Sequence, residues 1–121
     1  MSYKILGLAG SLRRASFNRA ALLKAITLAP PTLQFDIFDL SDIPLYNGDV
    51  EDNDGMPASV HEFRQAIHQS DGLLIVTPEY NFSIPGVLKN AIDWASRAYD
   101  PKLAGDNAKW PFSPPRPTFP G

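Results

Sequence analysis

Residues 3–18 read YKILGLAGSLRRASFN, and this stretch sets how the rest of the chain is read. Lys4 to Ala9 is a short apolar run closed by Gly10, the pattern of a strand buried on both faces. Directly behind it stand Ser11, Arg13, Arg14, Ser16 and Asn18, a turn dense in hydrogen-bond donors and positive charge. Ser16 is placed to cap a helix over roughly Phe17 to Leu28. In that helix Leu22, Ile26 and Ala29 form one row with Leu23 beside it, and Pro30-Pro31 ends it. A buried strand, a polar turn and an amphipathic helix make the first half of a βαβ unit.

The same alternation continues. Leu33, Phe35 and Ile37 alternate with Gln34, Asp36 and Phe38, which predicts a second, partly exposed strand at a sheet edge. Residues 41–56, SDIPLYNGDVEDNDGM, read as a long polar loop, and a loop of that length in a compact domain is usually functional or mobile. Pro57 suits the first position of a second helix, with Val60, Phe63 and Ile67 on one buried face. Asp71-Gly72 break it before Leu73 to Thr77, a run apolar enough for the interior of a parallel sheet. After the loop TPEYNFSI, Pro85 opens a helix to about Arg97 carrying Val87, Leu88, Ala91, Ile92 and Ala95. The order predicts an α/β fold, a doubly wound parallel sheet, over residues 1–100.

From Pro101 the pattern changes. Residues 101–121 hold six of the twelve prolines and show neither helical nor strand periodicity, so an irregular Pro-rich tail is expected. Trp110, Phe112 and Phe119 have no assigned place, and PPRP is at best a weak polyproline ligand. Three strands is a thin sheet, and nothing further along covers the far side of Leu73 to Thr77, which reads as a central strand.

Composition narrows the function classes. The chain has 121 residues, 44% apolar and 20% charged, enough for one ordinary globular domain. A net charge of −2 argues against a nucleic-acid partner, which calls for a concentrated positive face. No apolar run approaches the ~20 residues of a membrane span. The opening run is too short and too quickly basic for a signal peptide, so a cytoplasmic protein is expected. The absence of cysteine excludes disulfides, thiolate metal sites and cysteine nucleophiles. His61 and His68, seven residues apart, share a helix face but have no third ligand nearby, so no metal site is expected.

The first strand–helix turn of such a sheet lies where ligands bind. Hydroxyls, an amide, an arginine and a helix N-terminus together suit a phosphate monoester. GLAGSL lacks the spacing of the dinucleotide fingerprint, and no Gly-Lys-Ser/Thr is present for a P-loop. A tyrosine-phosphatase loop needs the cysteine that this chain lacks. What remains is the phosphate tail of a bound cofactor. The plainer alternative is that Ser16 merely caps a helix while Arg13 and Arg14 are solvated, and the turn alone does not separate the two.

A second segment does. TPEYNFSIPGVLKNAIDW follows the third strand and so reaches the same rim. Together with GSLRRASFN, and with DIPLYNGDVE between them, it resembles the NADPH-dependent FMN reductase family, which has a flavodoxin-like fold and includes quinone, chromate and azo-dye reductases. The resemblance covers residue 3 to about 105. It implies that Ser11, Arg13, Ser16 and Asn18 hold the FMN phosphate. It implies also that Pro78, Glu79, Tyr80 and Asn81 run along the isoalloxazine ring, mostly through backbone groups and the Tyr80 ring. A flat apolar ring is well served by an aromatic side chain and a stiff turn. No protein side chain is expected to be catalytic, Glu79 included, because the hydride chemistry belongs to the flavin. The implied reaction is ping-pong: NADPH or NADH reduces the flavin, then a quinone or similar small acceptor takes two electrons. Asn47 is expected to border the open face, and Trp94 to be core or subunit contact. The family implies a homodimer or homotetramer. Leu103-Ala104-Gly105 keeps a family-like segment, after which the sequence departs from the family pattern, so the domain reads as incomplete. A non-catalytic remnant with weak or no FMN binding is therefore the alternative, and an electron carrier of the flavodoxin kind a more distant third.

Overall fold

The computed structural model describes residues 1–13 and 16–97. The Pro-rich tail with its aromatic residues, the Leu103–Gly105 segment and Arg14 lie outside the described residues. Strand β1 (Tyr3–Ala9) leads into helix α1 (Phe17–Leu28), then β2 (Leu33–Phe38), α2 (Gly48–Asp54), α3 (Ala58–His68), β3 (Gly72–Val76) and α4 (Gly86–Ala95). The three strands form a parallel sheet in the order β2-β1-β3. This is the predicted α/β fold with helices on both faces.

Side-chain alternation along β1 separates the two layers. Gly7 faces α1, where a Cβ would stand 3.0 Å from Leu22 Cδ1. Leu6 and Leu8 point the other way, into a core with Val60 and Phe63 of α3 and Leu88, Ala91, Trp94 and Ala95 of α4. Leu40 and Ile43, just after β2, complete that layer. α1 is the lighter helix: Leu22 is its one fully buried residue, Ile26 is half-buried, and Leu23, expected beside the buried row, is exposed. It covers β1 and β3 through a single ridge. In α3, Val60 and Phe63 are buried as predicted and Ile67 is half-buried.

One expectation needs correction. The segment 41–56 is not loop throughout, because α2 occupies Gly48–Asp54. Asn47 caps it by accepting the Asp49 N–H at 2.9 Å, Asp49 and Glu51 favour its N-terminal dipole, and Gly55 ends it at φ 77°. It buries no residue, so apolar periodicity could not have disclosed it. Among the described residues β1 is the central strand and β3, though apolar enough for an interior position, pairs with β1 alone, in keeping with the uncovered far side expected of it. Ile75 accordingly stands 40% exposed.

The edges of the core are pinned by polar contacts. Lys4 N–H donates to Asp71 Oδ2 at 2.8 Å and Asp71 N–H returns a bond to the Lys4 carbonyl at 2.7 Å, fixing the start of β3 against β1. The Pro44 carbonyl accepts from both Asn90 Nδ2 and Trp94 Nε1 at 2.8 Å, so the loop before α2 is clamped to α4. Trp94 is thus a core residue, meeting Tyr46 edge to face at 4.8 Å. His61 and His68 lie half-buried on α3, and among the described residues no cluster of three or more His, Cys, Asp or Glu is placed to hold a metal. Among the described residues no helix is long and apolar enough to cross a membrane.

Candidate functional site

Three parallel strands end side by side, and the turns that leave β1 and β3 meet at that end. Gly10 is where they touch. Its N–H donates to the Val76 carbonyl at 2.9 Å, and a Cβ placed on it would stand 2.4 Å from Thr77 Oγ1 and 2.7 Å from Thr77 Cβ. Glycine at this position lets the β1 turn lie directly against the β3 turn.

Beyond that contact opens a cavity of about 400 Å³ lined by Ser11, Arg13, Ser16, Phe17, Asn18, Pro78 and Tyr80. The volume falls within the range of small-molecule and cofactor pockets, roughly 300–1,000 Å³. One side is polar. Ser11 Oγ accepts the Arg13 N–H at 3.3 Å, and Ser16 Oγ accepts the N–H groups of Asn18 and Arg19 at 3.2 and 3.4 Å. Both hydroxyl oxygens therefore act as acceptors within the chain, which leaves each O–H to donate outward. The Asn18 amide and the Arg13 guanidinium add further donors, and α1 points its positive dipole end at the same space. This donor set fits an anion with several acceptor oxygens, such as a phosphate monoester.

The residues that the turn after β3 contributes to the lining, Pro78 and Tyr80, are less polar. Pro78 is half-buried and Tyr80 is exposed. Residues 80–83 form a tight hairpin in which the Tyr80 N–H donates to the Ser83 carbonyl at 2.8 Å and the Ser83 N–H to the Tyr80 carbonyl at 2.9 Å. Pro78, the bond from Thr77 Oγ1 to the Pro78 carbonyl at 3.0 Å, and this closed turn make a stiff rim.

Of the eight residues singled out from sequence, the cavity brings together Ser11, Arg13, Ser16, Asn18, Pro78 and Tyr80. The side chains of Glu79 and Asn81 are not part of its lining. Glu79 sits exposed between two residues that line it, the alternation of extended chain, and Asn81 is spent on the hairpin turn at φ 51°. Asn47 is not part of the lining either; its side chain caps α2. Sequence reasoning missed Phe17, which lines the cavity while 91% exposed. Its signal was available: an aromatic at the first position of a helix, outside the buried row, has no core to join.

The family model described as NADPH-dependent FMN reductase matches residues 3–110. An NAD(P)H-dependent FMN reductase of Pseudomonas aeruginosa is 52% identical over 105 residues, covering 87% of this chain and 56% of that protein. A quinone reductase of Escherichia coli K12 is 47% identical over 103 residues, covering 84% of this chain and 55% of its own length. The solved structure of the flavoenzyme NAD(P)H:(acceptor) oxidoreductase FerB from Paracoccus denitrificans superposes with a TM-score of 0.73 at 40% identity, over 80% of this chain and 52% of that one. The chain spans about half the length of the curated relatives it matches. With the match running through both rim turns and every described strand, the chain belongs to the NADPH-dependent FMN reductase family.

Proposed function

We propose that this chain binds FMN in the cavity between the β1 and β3 turns and works as an NAD(P)H-dependent oxidoreductase that reduces quinones or similar small acceptors. One observation carries the reading: Ser11, Arg13, Ser16, Phe17 and Asn18 line one cavity together with Pro78 and Tyr80, which stand 60 residues further along the chain, so a donor-rich turn and an aromatic-bearing rim share one space. When bound, FMN supplies the two-electron transfer between a nicotinamide and the acceptor. Arg13, with the Ser11 and Ser16 hydroxyls and the Asn18 amide, holds the phosphate by charge-assisted bonds. Pro78 and Tyr80 position the ring system, and Tyr80 stands exposed to solvent where a second planar molecule would approach. Glu79 and Asn81 take part through their backbone. No side chain is assigned a proton-transfer role. The proposed setting is the cytoplasm, and the proposed assembly a homodimer or homotetramer, both resting on the family resemblance.

Titration of the protein into FMN, followed by flavin fluorescence, tests the assignment. Saturable quenching is expected, weakened tenfold or more by Arg13→Ala. NADPH should then bleach the yellow complex, and a quinone restore the colour. A wild-type chain that leaves flavin fluorescence unchanged favours the non-catalytic alternative.

A further inference from the structure

The hairpin at residues 80–83 turns on two residues with positive φ, Asn81 at 51° and Phe82 at 62°. With the two cross-bonds between Tyr80 and Ser83, this is the pattern of a type I′ turn, whose second central position is normally glycine. Asparagine tolerates the left-handed region; a bulky aromatic there is a true outlier. Backbone strain of this kind persists where the surrounding structure over-determines it, and it clusters at ligand-binding sites; packing of the strained side chain in the core would be the plainer reason for it. That reason is absent here, because Phe82 is 98% exposed. The ring adds nothing to the described core, yet the turn holds it out two residues from Tyr80, which lines the cavity. Phe17, which lines the cavity, is likewise left almost entirely open to solvent, whereas Phe82 lies just outside the lining, two residues beyond Tyr80.

We propose that Phe82 is a substrate-specificity residue: its ring supplies a stacking face for the planar, electron-poor ring of the second substrate that enters over Tyr80. The inference rests on the cavity being the FMN site. Two molecules share that ring chemistry, the nicotinamide of NAD(P)H and a quinone acceptor, and separate kinetic arms tell them apart. The rigid turn matters because an aromatic on a pre-organised hairpin loses little freedom when a ring stacks on it. Offset stacking of two aromatic rings is favourable beyond the area it buries, so a residue of this type affects KM more than the electron-transfer step. Tyr80 and Phe82 would then divide the work, the first lining the cofactor cavity and the second receiving what approaches it.

Phe82→Gly provides the test, since glycine relaxes the turn while deleting the ring. Its FMN affinity should stay within twofold of wild type, and its Tm should be unchanged or a few degrees higher. In steady-state assays on the FMN-loaded protein, KM for NADPH, for a soluble naphthoquinone, or for both should rise about tenfold with little change in kcat. Where the KM for the naphthoquinone rises, its direct binding to the oxidised, FMN-loaded protein, read by saturation-transfer NMR, should weaken by a similar factor; where only the KM for NADPH rises, the nicotinamide is the ring received. Phe82→Tyr should retain wild-type KM values, and Phe82→Asn, which accepts the turn but carries no stacking ring, should behave like the glycine variant. If Phe82→Gly binds FMN normally and both KM values and quinone binding are unchanged, the inference is overturned and the FMN assignment stands. If those values are unchanged while sedimentation shows altered self-association, Phe82 is a subunit contact and the inference is likewise overturned. A wild-type chain that fails to bind FMN removes the FMN assignment, and the inference with it.

Discussion

Gly10 shows how much can rest on one absent Cβ. The two cavity walls converge because the β1 turn lies flat against Thr77, at distances no real Cβ accepts. Gly10→Ala should therefore destabilise the fold by about 1–3 kcal/mol, the usual range for overpacking, and weaken FMN binding as the walls part. Thermal melts and flavin titration would show both, and Thr77→Gly in the same chain should recover part of each loss by removing the clashing Cβ and Oγ1. A different residue carries the clearest pH dependence. Burial, and then the hydrogen bond donated to Glu51 Oε2 at 2.9 Å, hold the Tyr46 phenol above its ordinary value, and Arg97 moderates this from 5.4 Å over the ring. A raised folded pKa stabilises below the unfolded value, and that contribution disappears as pH rises through the folded one. Wild type should thus lose stability more steeply than Tyr46→Phe above a pH of about 10. At neutral pH the variant should be weaker by about 0.5–1.5 kcal/mol through the lost hydrogen bond. Denaturant midpoints measured at pH 7 to 11 would check the sign and the size.

At the scale of elements, the two ends of α1 and α4 are held by opposite means. Ser16 closes the start of α1 with the two N–H bonds already described, and Ser16→Ala should cost about 1 kcal/mol of stability by urea denaturation. The same change should also reduce FMN affinity, because it removes an outward donor from the cavity. The C-terminus of α4 is closed from another helix. Arg64 of α3 is fully buried and donates through Nη1 to the Trp94 and Ala95 carbonyls at 2.7 and 3.1 Å, and through Nη2 to the Arg97 carbonyl at 2.8 Å. Its charge also complements the negative end of the α4 dipole. Arg64→Met should cost about 3 kcal/mol or more, since three carbonyls lose a charged donor at once. Arg64→Lys should restore little, because an ammonium cannot span them in the planar fork geometry. Near-UV circular dichroism of Trp94 would report whether α4 shifts. Sequence reading placed the three strands and the helices α1, α3 and α4, six segments with apolar faces, close to their observed ends, including α1 to the residue. It gave no hint of Arg64, because an arginine between Phe63 and Gln65 reads as surface until a partner helix arrives.

For the molecule as a whole, the conspicuous feature is the outer side of β3. Beside it lies a nearly all-apolar groove formed by Leu8, Phe63, Leu73, Ile75, Leu88 and Ile92. Among the described residues β3 has one strand neighbour, and an apolar strand edge invites pairing with another chain. Ile75→Lys should lower concentration-dependent association, read by light scattering, with FMN affinity unaffected because Ile75 is not part of the cavity lining. The parallel α/β fold and the donor-rich turn after β1 were legible in the sequence alone, because both are written locally, in apolar runs, helix caps and donors packed between a strand and a helix. Tertiary structure decided the rest. Only the strand order puts Gly10 against Thr77 and makes one cavity of two distant turns. Only chain geometry sorts Tyr80, facing the cavity, from Glu79 and Asn81, which do not. Periodicity reports what a segment buries, and α2 buries nothing, while the role of Arg64 is set by a partner helix that no local pattern encodes.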